Sequence, residues 1–228
     1  MKKKRQIIFD TETTGLNAEN NGIIEIAAVE IENRVITGNR FHRYIKPNYP
    51  IDPEAKKIHG ISENFLADKP KFPEIIGEFW KFIEDAEIIA HNIRFDLRFL
   101  HAEYKRAKAE LPKLEQICPN QFDTLALARR IYPGKKNDLE SLCKRLKIDT
   151  SGFSFHSALD DCLALALVFL AMTQVQLETS SLNDSSSTNS FGQSRSADLK
   201  LKIINASDEE KKRHSQYLSE IIGGELSD

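Results

Sequence analysis

The segment Gln6-Ile-Ile-Phe-Asp-Thr-Glu-Thr-Thr-Gly-Leu16 opens as an apolar run and closes on two acids and a glycine. Gln6 to Asp10 reads as a short buried strand, because the run is brief, β-branched and bounded by turn-forming residues. Asp10 and Glu12 stand two apart, so a strand that continues past Asp10 presents both carboxylates on the same side. Carboxylates held side by side repel each other, and a divalent cation with oxygen ligands relieves that repulsion. An isolated Asp-x-Glu is equally what a solvated turn looks like, so its meaning depends on what the rest of the chain brings to it.

Working outward, Gly22 to Glu32 and Thr37 to Lys46 are rich in β-branched residues and read as two more strands. The short connections favour an antiparallel meander. From Pro73 to Glu84 the apolar residues Ile75, Ile76, Phe79, Trp80, Phe82 and Ile83 recur at helical spacing, and Glu87 to Ala90 follows as another apolar strand. A helix followed by a strand implies a crossover onto the same sheet. A second helix follows through Phe95, Leu97, Phe99, Leu100 and Tyr104, and Phe122–Asp123 starts a last short strand. Helices are then expected around Leu125 to Ile131, Asp138 to Leu146 and Ser157 to Met172. The expected fold is α/β, a mixed five-stranded sheet flanked by helices.

The 228 residues, 29% charged and 40% hydrophobic, suit one sizeable domain with an appendage. No apolar run is long enough to span a bilayer. The basic Met1–Arg5 start is followed by too short an apolar stretch for a signal-peptide core, so a cytoplasmic protein is expected. Cys118, Cys143 and Cys162 are odd in number and far apart, which reads as buried thiols rather than disulfides or a zinc site. Residues 1–172 hold 26 Lys and Arg against 25 Asp and Glu, and residues 173–228 hold 6 against 9. Neither part carries the positive excess of a free-standing nucleic-acid binder, so a nucleic-acid substrate would be delivered by something else.

Two further groups carry chemistry. Asp96, in His91-Asn-Ile-Arg-Phe-Asp96, falls in the first turn of the helix after the fourth strand, where an acid is also favoured by the helix dipole. In Phe155-His-Ser-Ala-Leu-Asp-Asp161, Asp161 lies inside the last helix and His156 in the loop before it. Five residues apart on one helix they would point in different directions, but with His156 in a loop both can serve one site. A histidine accepts a proton near neutral pH, and carboxylate-bound metals generate hydroxide from water. Alone, the pair reads as a surface histidine and a helix-start acid.

Four acids at the ends of separate elements plus a histidine, in this order and with these flanking residues, resemble the DEDDh exonucleases of the ribonuclease-H-like superfamily. Asp-Thr-Glu-Thr-Thr-Gly and His-Asn-x-x-Phe-Asp carry the likeness, with Asp52-Pro-Glu-Ala, Ile58-His-Gly-Ile61 and Tyr132-Pro-Gly-Lys-Lys-Asn-Asp-Leu139. It covers residues 6–173, and within the family it is greatest to the epsilon proofreading subunits of bacterial DNA polymerase III. The resemblance implies a two-metal 3′→5′ exonuclease using Mg²⁺ or Mn²⁺. Asp10 would bridge both ions, Glu12 and Asp161 would complete one, Asp96 would support the second, and His156 would be the general base. Glu54 and His59 would touch the terminal nucleotide, although the residues alone read as a helix-start acid and a loop histidine. Gly60 would serve either a close backbone approach or a plain turn.

Residues 1–176 form the expected catalytic domain. Residues 179–198 contain eight serines and read as part of a flexible linker over 177–198, with a reach of roughly 25 Å. In 199–228, Ser207-Asp-Glu-Glu210 opens a helix on which His214, Tyr217, Leu218 and Ile221 share one stripe. A lone amphipathic helix has nothing of its own to bury against, so it reads as a docking peptide. The resemblance gives its partner as the polymerase III alpha subunit. It also points to the sliding clamp through Gln174-Val-Gln-Leu177, which lacks the bulky apolar pair of such motifs, and to a small accessory subunit. Two other readings stand beside this one: a stand-alone exonuclease on RNA or oligonucleotide ends, for which the tail is superfluous, and an inactive binding module, against which all five positions hold competent side chains.

Overall fold

The computed structural model describes residues 5–108 and 110–183. The docking segment 199–228 and the linker from 184 onward lie outside the described residues. The element order is β1 (Arg5–Thr13), β2 (Ile23–Glu32), β3 (Val35–Tyr44), α1 (Pro53–His59), α2 (Glu63–Leu66), α3 (Phe72–Ile83), β4 (Glu87–Ala90), α4 (Ile93–Ala107), α5 (Leu114–Ile117), β5 (Gln121–Asp123), α6 (Thr124–Ile131), α7 (Leu139–Leu146) and α8 (Ala158–Asn183). The sheet order is β3-β2-β1-β4-β5. The first three strands are antiparallel, and β4 and β5 run parallel to β1. This is the mixed five-stranded sheet with flanking helices that the periodicities predict.

Local chemistry explains the joins. β2 turns into β3 through Asn33 and Arg34, both at positive φ (49° and 67°), the conformation whose twist matches a two-residue hairpin. α1 begins on Pro53 in its first turn and ends at Gly60, whose φ of 71° is the left-handed stop of a helix.

Both faces of the sheet are covered, and β2 is buried at nine of its ten positions. On one face Ile7, Phe9, Ile26 and Ala28 pack with Phe79 and Trp80 of α3 and Phe99 and Leu100 of α4. On the other, Ile8, Ala27, Val29 and Ile89 pack with Cys162, Leu165 and Phe169 of α8. Cys118, Cys143 and Cys162 are buried free thiols. α8 extends to Asn183, past residue 176 where the composition changes. Among the described residues no helix is long and apolar enough to cross a membrane.

One mismatch in strand length positions the site. β4 pairs with β1 only over Gln6 to Ile8, while β1 runs on to Thr13. Beyond Ile8 the β4 side of β1 has no strand against it, so elements from both faces can meet there. It is also where the strand order reverses direction around β1, the usual place for a ligand in an α/β sheet.

Candidate active site

Asp10 and Glu12 lie on this overhang, opposite Ala27 and Glu25 of β2. By the period of two they share a face with Ile8, the face that α8 covers. Asp161 sits in the first turn of α8, its N–H donating to the Ser157 carbonyl at 2.9 Å. Its Oδ2 accepts the backbone N–H of His156 at 3.2 Å, and its Oδ1 is buried without a hydrogen-bond partner. The neighbouring Asp160 accepts the Ser154 N–H at 2.9 Å, so two consecutive acids tie the loop to the helix. His156 holds φ 67°, the left-handed region that residues other than glycine visit uncommonly.

Asp96 arrives from the opposite face, in the first turn of α4, and is buried. The Thr11 hydroxyl donates to its Oδ1 at 2.7 Å. The alternation of β1 thus places Asp10 and Glu12 on one side and uses Thr11, between them, to hold the acid that comes from the other.

The cluster is electrostatically crowded. Burial, then Asp96, Glu12 and Asp161, push the Asp10 carboxyl well above the usual range. Burial, then Asp161, Glu25 and Asp96, push Glu12 up to about 8. Burial raises Asp96 to about 7 against the hydrogen bonds of Thr11, and raises Asp161 to about 6 against the His156 N–H. Glu12, Asp161 and His156 each offer a ligand atom, and these lie within 4.8 Å of one another. Hard oxygen donors, mutual repulsion and an orphaned buried carboxylate oxygen fit a Mg²⁺- or Mn²⁺-type cation.

Beside the carboxylates lies a cleft of about 570 Å³ whose apolar lining includes Leu16, Ile58 and Phe95, and whose polar lining includes Glu54 and His59. Leu16 is 81% exposed and Ile58 57%, large apolar side chains left open to solvent at the rim. Such exposure marks a surface made to be covered. His59 Nδ1 accepts the Ile61 N–H at 3.0 Å, which puts the proton of the neutral ring on the buried Nε2. Burial also lowers the His59 pKa, favouring that neutral ring. Glu54 is exposed and pairs with Lys57 at 2.6 Å.

The structure brings Asp10, Glu12, Asp96, Asp161 and His156 together, and places Glu54 and His59 on the adjoining cleft. Sequence reasoning missed Glu25, which is buried opposite Glu12 and bonded to His42 Nε2 at 2.7 Å. Its signal was a lone acid inside an apolar strand. It also missed Leu16, Ile58 and Phe95; of the two readings of Gly60, the turn is the one the structure shows, and the close approach falls at Gly15 instead. A Cβ on Gly60 would meet nothing within 4 Å, whereas one on Gly15 would sit 2.0 Å from Asp52 Oδ2.

With this geometry in view, the Exonuclease (RNase_T) family matches residues 7–169. The chain is 43% identical to the DNA polymerase III subunit epsilon of Buchnera aphidicola subsp. Baizongia pistaciae, over 96% of this chain and 93% of that one. It is likewise 43% identical to that of Escherichia coli K12, over 94% and 92%. The chain belongs to the epsilon-subunit family of exonucleases. Among solved structures it is similar to exonuclease X in complex with 5′-overhanging duplex DNA, with a TM-score of 0.59 and 32% identity over 75% of this chain and 92% of that one. The nuclease domain of 3′hExo, a DEDDh family member bound to rAMP, shares the epsilon-family fold, with a TM-score of 0.64 and 17% identity over 76% and 94%.

Proposed function

We propose that this chain is the 3′→5′ proofreading exonuclease of a bacterial DNA polymerase III, releasing 5′-mononucleotides from a mispaired or frayed primer end in the cytoplasm. The observation that carries the reading is the meeting of four buried or half-buried carboxylates and His156 where β1 overhangs β4, in a chain of the epsilon family.

The residues divide the work. Leu16, Ile58 and Phe95 pack against the terminal base, an apolar contact that every base can make. Glu54 and His59 hold the terminal sugar and phosphate, His59 through its Nε2 proton. Asp10, Glu12 and Asp161, with Asp96 behind them, would hold two divalent cations. Bound there, the cations supply neutralisation of the phosphodiester charge and acidify water. His156 takes a proton as water attacks phosphorus, the P–O3′ bond breaks, and the departing 3′ oxygen takes a proton from solvent, so that the upstream strand leaves with a free 3′ hydroxyl.

Residues 199–228 would dock to the polymerase alpha subunit. Gln174–Leu177 would be a clamp contact, and a small accessory subunit completes the reading. Delivery by a polymerase suits a chain with a net charge of −2.

The deciding experiment is nucleotide release from 3′-mispaired DNA by the full chain with Mg²⁺, Mn²⁺ or chelator, alongside His156→Ala. Metal-dependent release of 5′-mononucleotides, strongly reduced in the variant, is the expected result. Release that persists in chelator would overturn the metal assignment.

A further inference from the structure

A second cleft, of about 620 Å³, lies at the start of α4, where His91 and Asn92 line it. Its basic lining is Arg129 of α6 with Lys135 and Lys136 of the α6–α7 loop, and it also includes His91 and Asn92. The whole chain has no cationic excess, so three cations around one concavity are a local concentration of charge.

The loop that carries the lysines is clamped. Arg145 donates to the Lys136 carbonyl at 2.7 Å and to Asn137 Oδ1 at 3.2 Å, and its guanidinium stacks over Tyr132 at 4.7 Å. The buried Asn137 in turn donates to the Tyr132 carbonyl at 3.2 Å, and Gly134 makes the turn at φ 70°. Arg129 and Lys135 have no ion-pair partner among the described residues. The lining acid, Asp138, accepts the N–H and hydroxyl of Ser141 at 3.0 and 2.9 Å and lies 3.5 Å from Lys136. Two cations without an ion-pair partner among the described residues, Arg129 of α6 and Lys135 of the clamped loop, line the cleft beside Lys136, which shares Asp138, and such a surplus is arranged for an anion rather than for the fold. His91 is not one of them: Thr124 donates to the Ala90 carbonyl and so accepts from His91 Nδ1, and burial lowers the ring's pKa.

The two clefts are neighbours along a single turn of helix. Asn92 caps α4 on the basic side, Phe95 lines the nucleotide cleft, and Asp96 joins the carboxylates. Asn92 and Asp96 are four residues apart, a rise of about 6 Å along the helix, so the edge of the basic cleft that Asn92 forms adjoins the carboxylate cluster. We propose that the cleft formed by Arg129, Lys135 and Lys136 binds the phosphodiester backbone of the substrate strand, 5′ of the nucleotide being removed. This rests on the exonuclease reading of the neighbouring site. It supplies the strand contact that the charge of the whole chain does not.

The test uses the full chain, with Lys135→Gln/Lys136→Gln and Arg129→Gln variants, on two substrates with Mg²⁺. One is a p-nitrophenyl ester of thymidine 5′-phosphate, which has no upstream strand; the other is a single-stranded oligonucleotide of about ten residues. For the double variant KM on the oligonucleotide should rise roughly tenfold and the slope of log KM against log salt should fall by about one to two, with the ester hydrolysed as by the unmodified protein. Equal losses on both substrates, or an unchanged oligonucleotide KM, would overturn the proposal. So would an unchanged KM with loss of co-elution with the polymerase, which would make the cleft a protein contact. If the unmodified protein hydrolyses neither substrate, the exonuclease reading is what has failed. The cleft is then judged by fluorescence anisotropy with a labelled oligonucleotide, where equal affinity in protein and variant rejects it and weaker binding by the variant upholds it.

Discussion

The Thr11 hydroxyl donates to Asp96 Oδ1 at 2.7 Å, joining the face of β1 that carries neither Asp10 nor Glu12 to the helix that brings the fourth acid. A hydrogen bond to a carboxylate favours its ionised form, and here it opposes the burial that raises Asp96 to about 7. Thr11→Val keeps the shape and removes the donor, so the Asp96 pKa should rise further. Bonds of this type to charged groups are worth about 1.5–3 kcal/mol. The acid limb of the pH–rate profile should move to higher pH, with kcat near neutrality reduced roughly tenfold and recovering at alkaline pH. An acid limb that stays in place would show that Asp96 does not act in ionised form.

Metal-free protein should lose stability as pH rises. The carboxyls of Asp10, Glu12, Asp96 and Asp161 are all raised in the folded state. The folded cluster therefore binds more protons than the unfolded chain, and its contribution is fully present below the unfolded carboxylate pKa of about 4. It is lost as pH climbs through the folded values of about 6, 7 and 8 for Asp161, Asp96 and Glu12. In chelator, Tm should fall between these limits more steeply than for Asp10→Asn, which removes one of the repelling charges. Added Mn²⁺ should restore the unmodified protein by on the order of 5 °C near pH 8 and leave Asp10→Asn nearly unmoved. Parallel pH profiles for the two proteins would mean that the four acids do not share one strained site.

How far the sequence carries depends on the range of the forces that fix each feature. Period-two and period-3.6 patterns are local, and they yield the strands and long helices, including Glu87–Ala90 at its observed bounds. The parity of Asp10 and Glu12 and the loop placement of His156 are legible for the same reason. α1 has no buried residue and α2 has one, Leu66, so neither leaves an apolar stripe to read. Phe95 and Leu16 look like ordinary apolar residues until the fold sets one at the start of α4 beside the other after β1. Glu25 acquires its neighbours only through strand register. The basic cleft is invisible to a charge count because its cations come from two elements and are offset elsewhere in the chain.

Gly15→Ala should damage substrate binding rather than the fold as a whole. The added methyl would sit 2.0 Å from Asp52 Oδ2 and 2.7 Å from Asn21 Oδ1, two side chains that line the nucleotide cleft. Relief requires the Asp52 carboxylate, which makes no cap hydrogen bond, and the Asn21 side chain, held by the Thr14 hydroxyl at 2.9 Å, to swing away, which reshapes the wall of the cleft. KM for a mononucleotide ester should rise roughly tenfold, the effect of about 1.4 kcal/mol, with a smaller change in kcat. Gly60→Ala provides the contrast: it meets no atom within 4 Å but must hold φ near 71°. Its cost should appear in Tm and not in KM. Reversal of the two outcomes would place the close approach at Gly60.

His156 combines catalytic placement with backbone strain, and the two can be separated. It holds φ 67°, a region that costs a β-carbon-bearing residue about 1–2 kcal/mol and costs glycine little. The conformation persists because Asp161 accepts the His156 N–H and Asp160 accepts that of Ser154, fixing the loop from both sides. His156→Gly keeps both bonds and releases the strain, partly offset by the greater freedom of glycine in the unfolded chain. Its Tm should equal or exceed that of the unmodified protein, while kcat falls about 10²–10⁴-fold, the usual contribution of a general base. His156→Ala should show the same loss of kcat without the gain in Tm. If His156→Gly instead retained kcat, the proton would have to be accepted elsewhere in the site, and the left-handed turn rather than the imidazole would be what this position supplies.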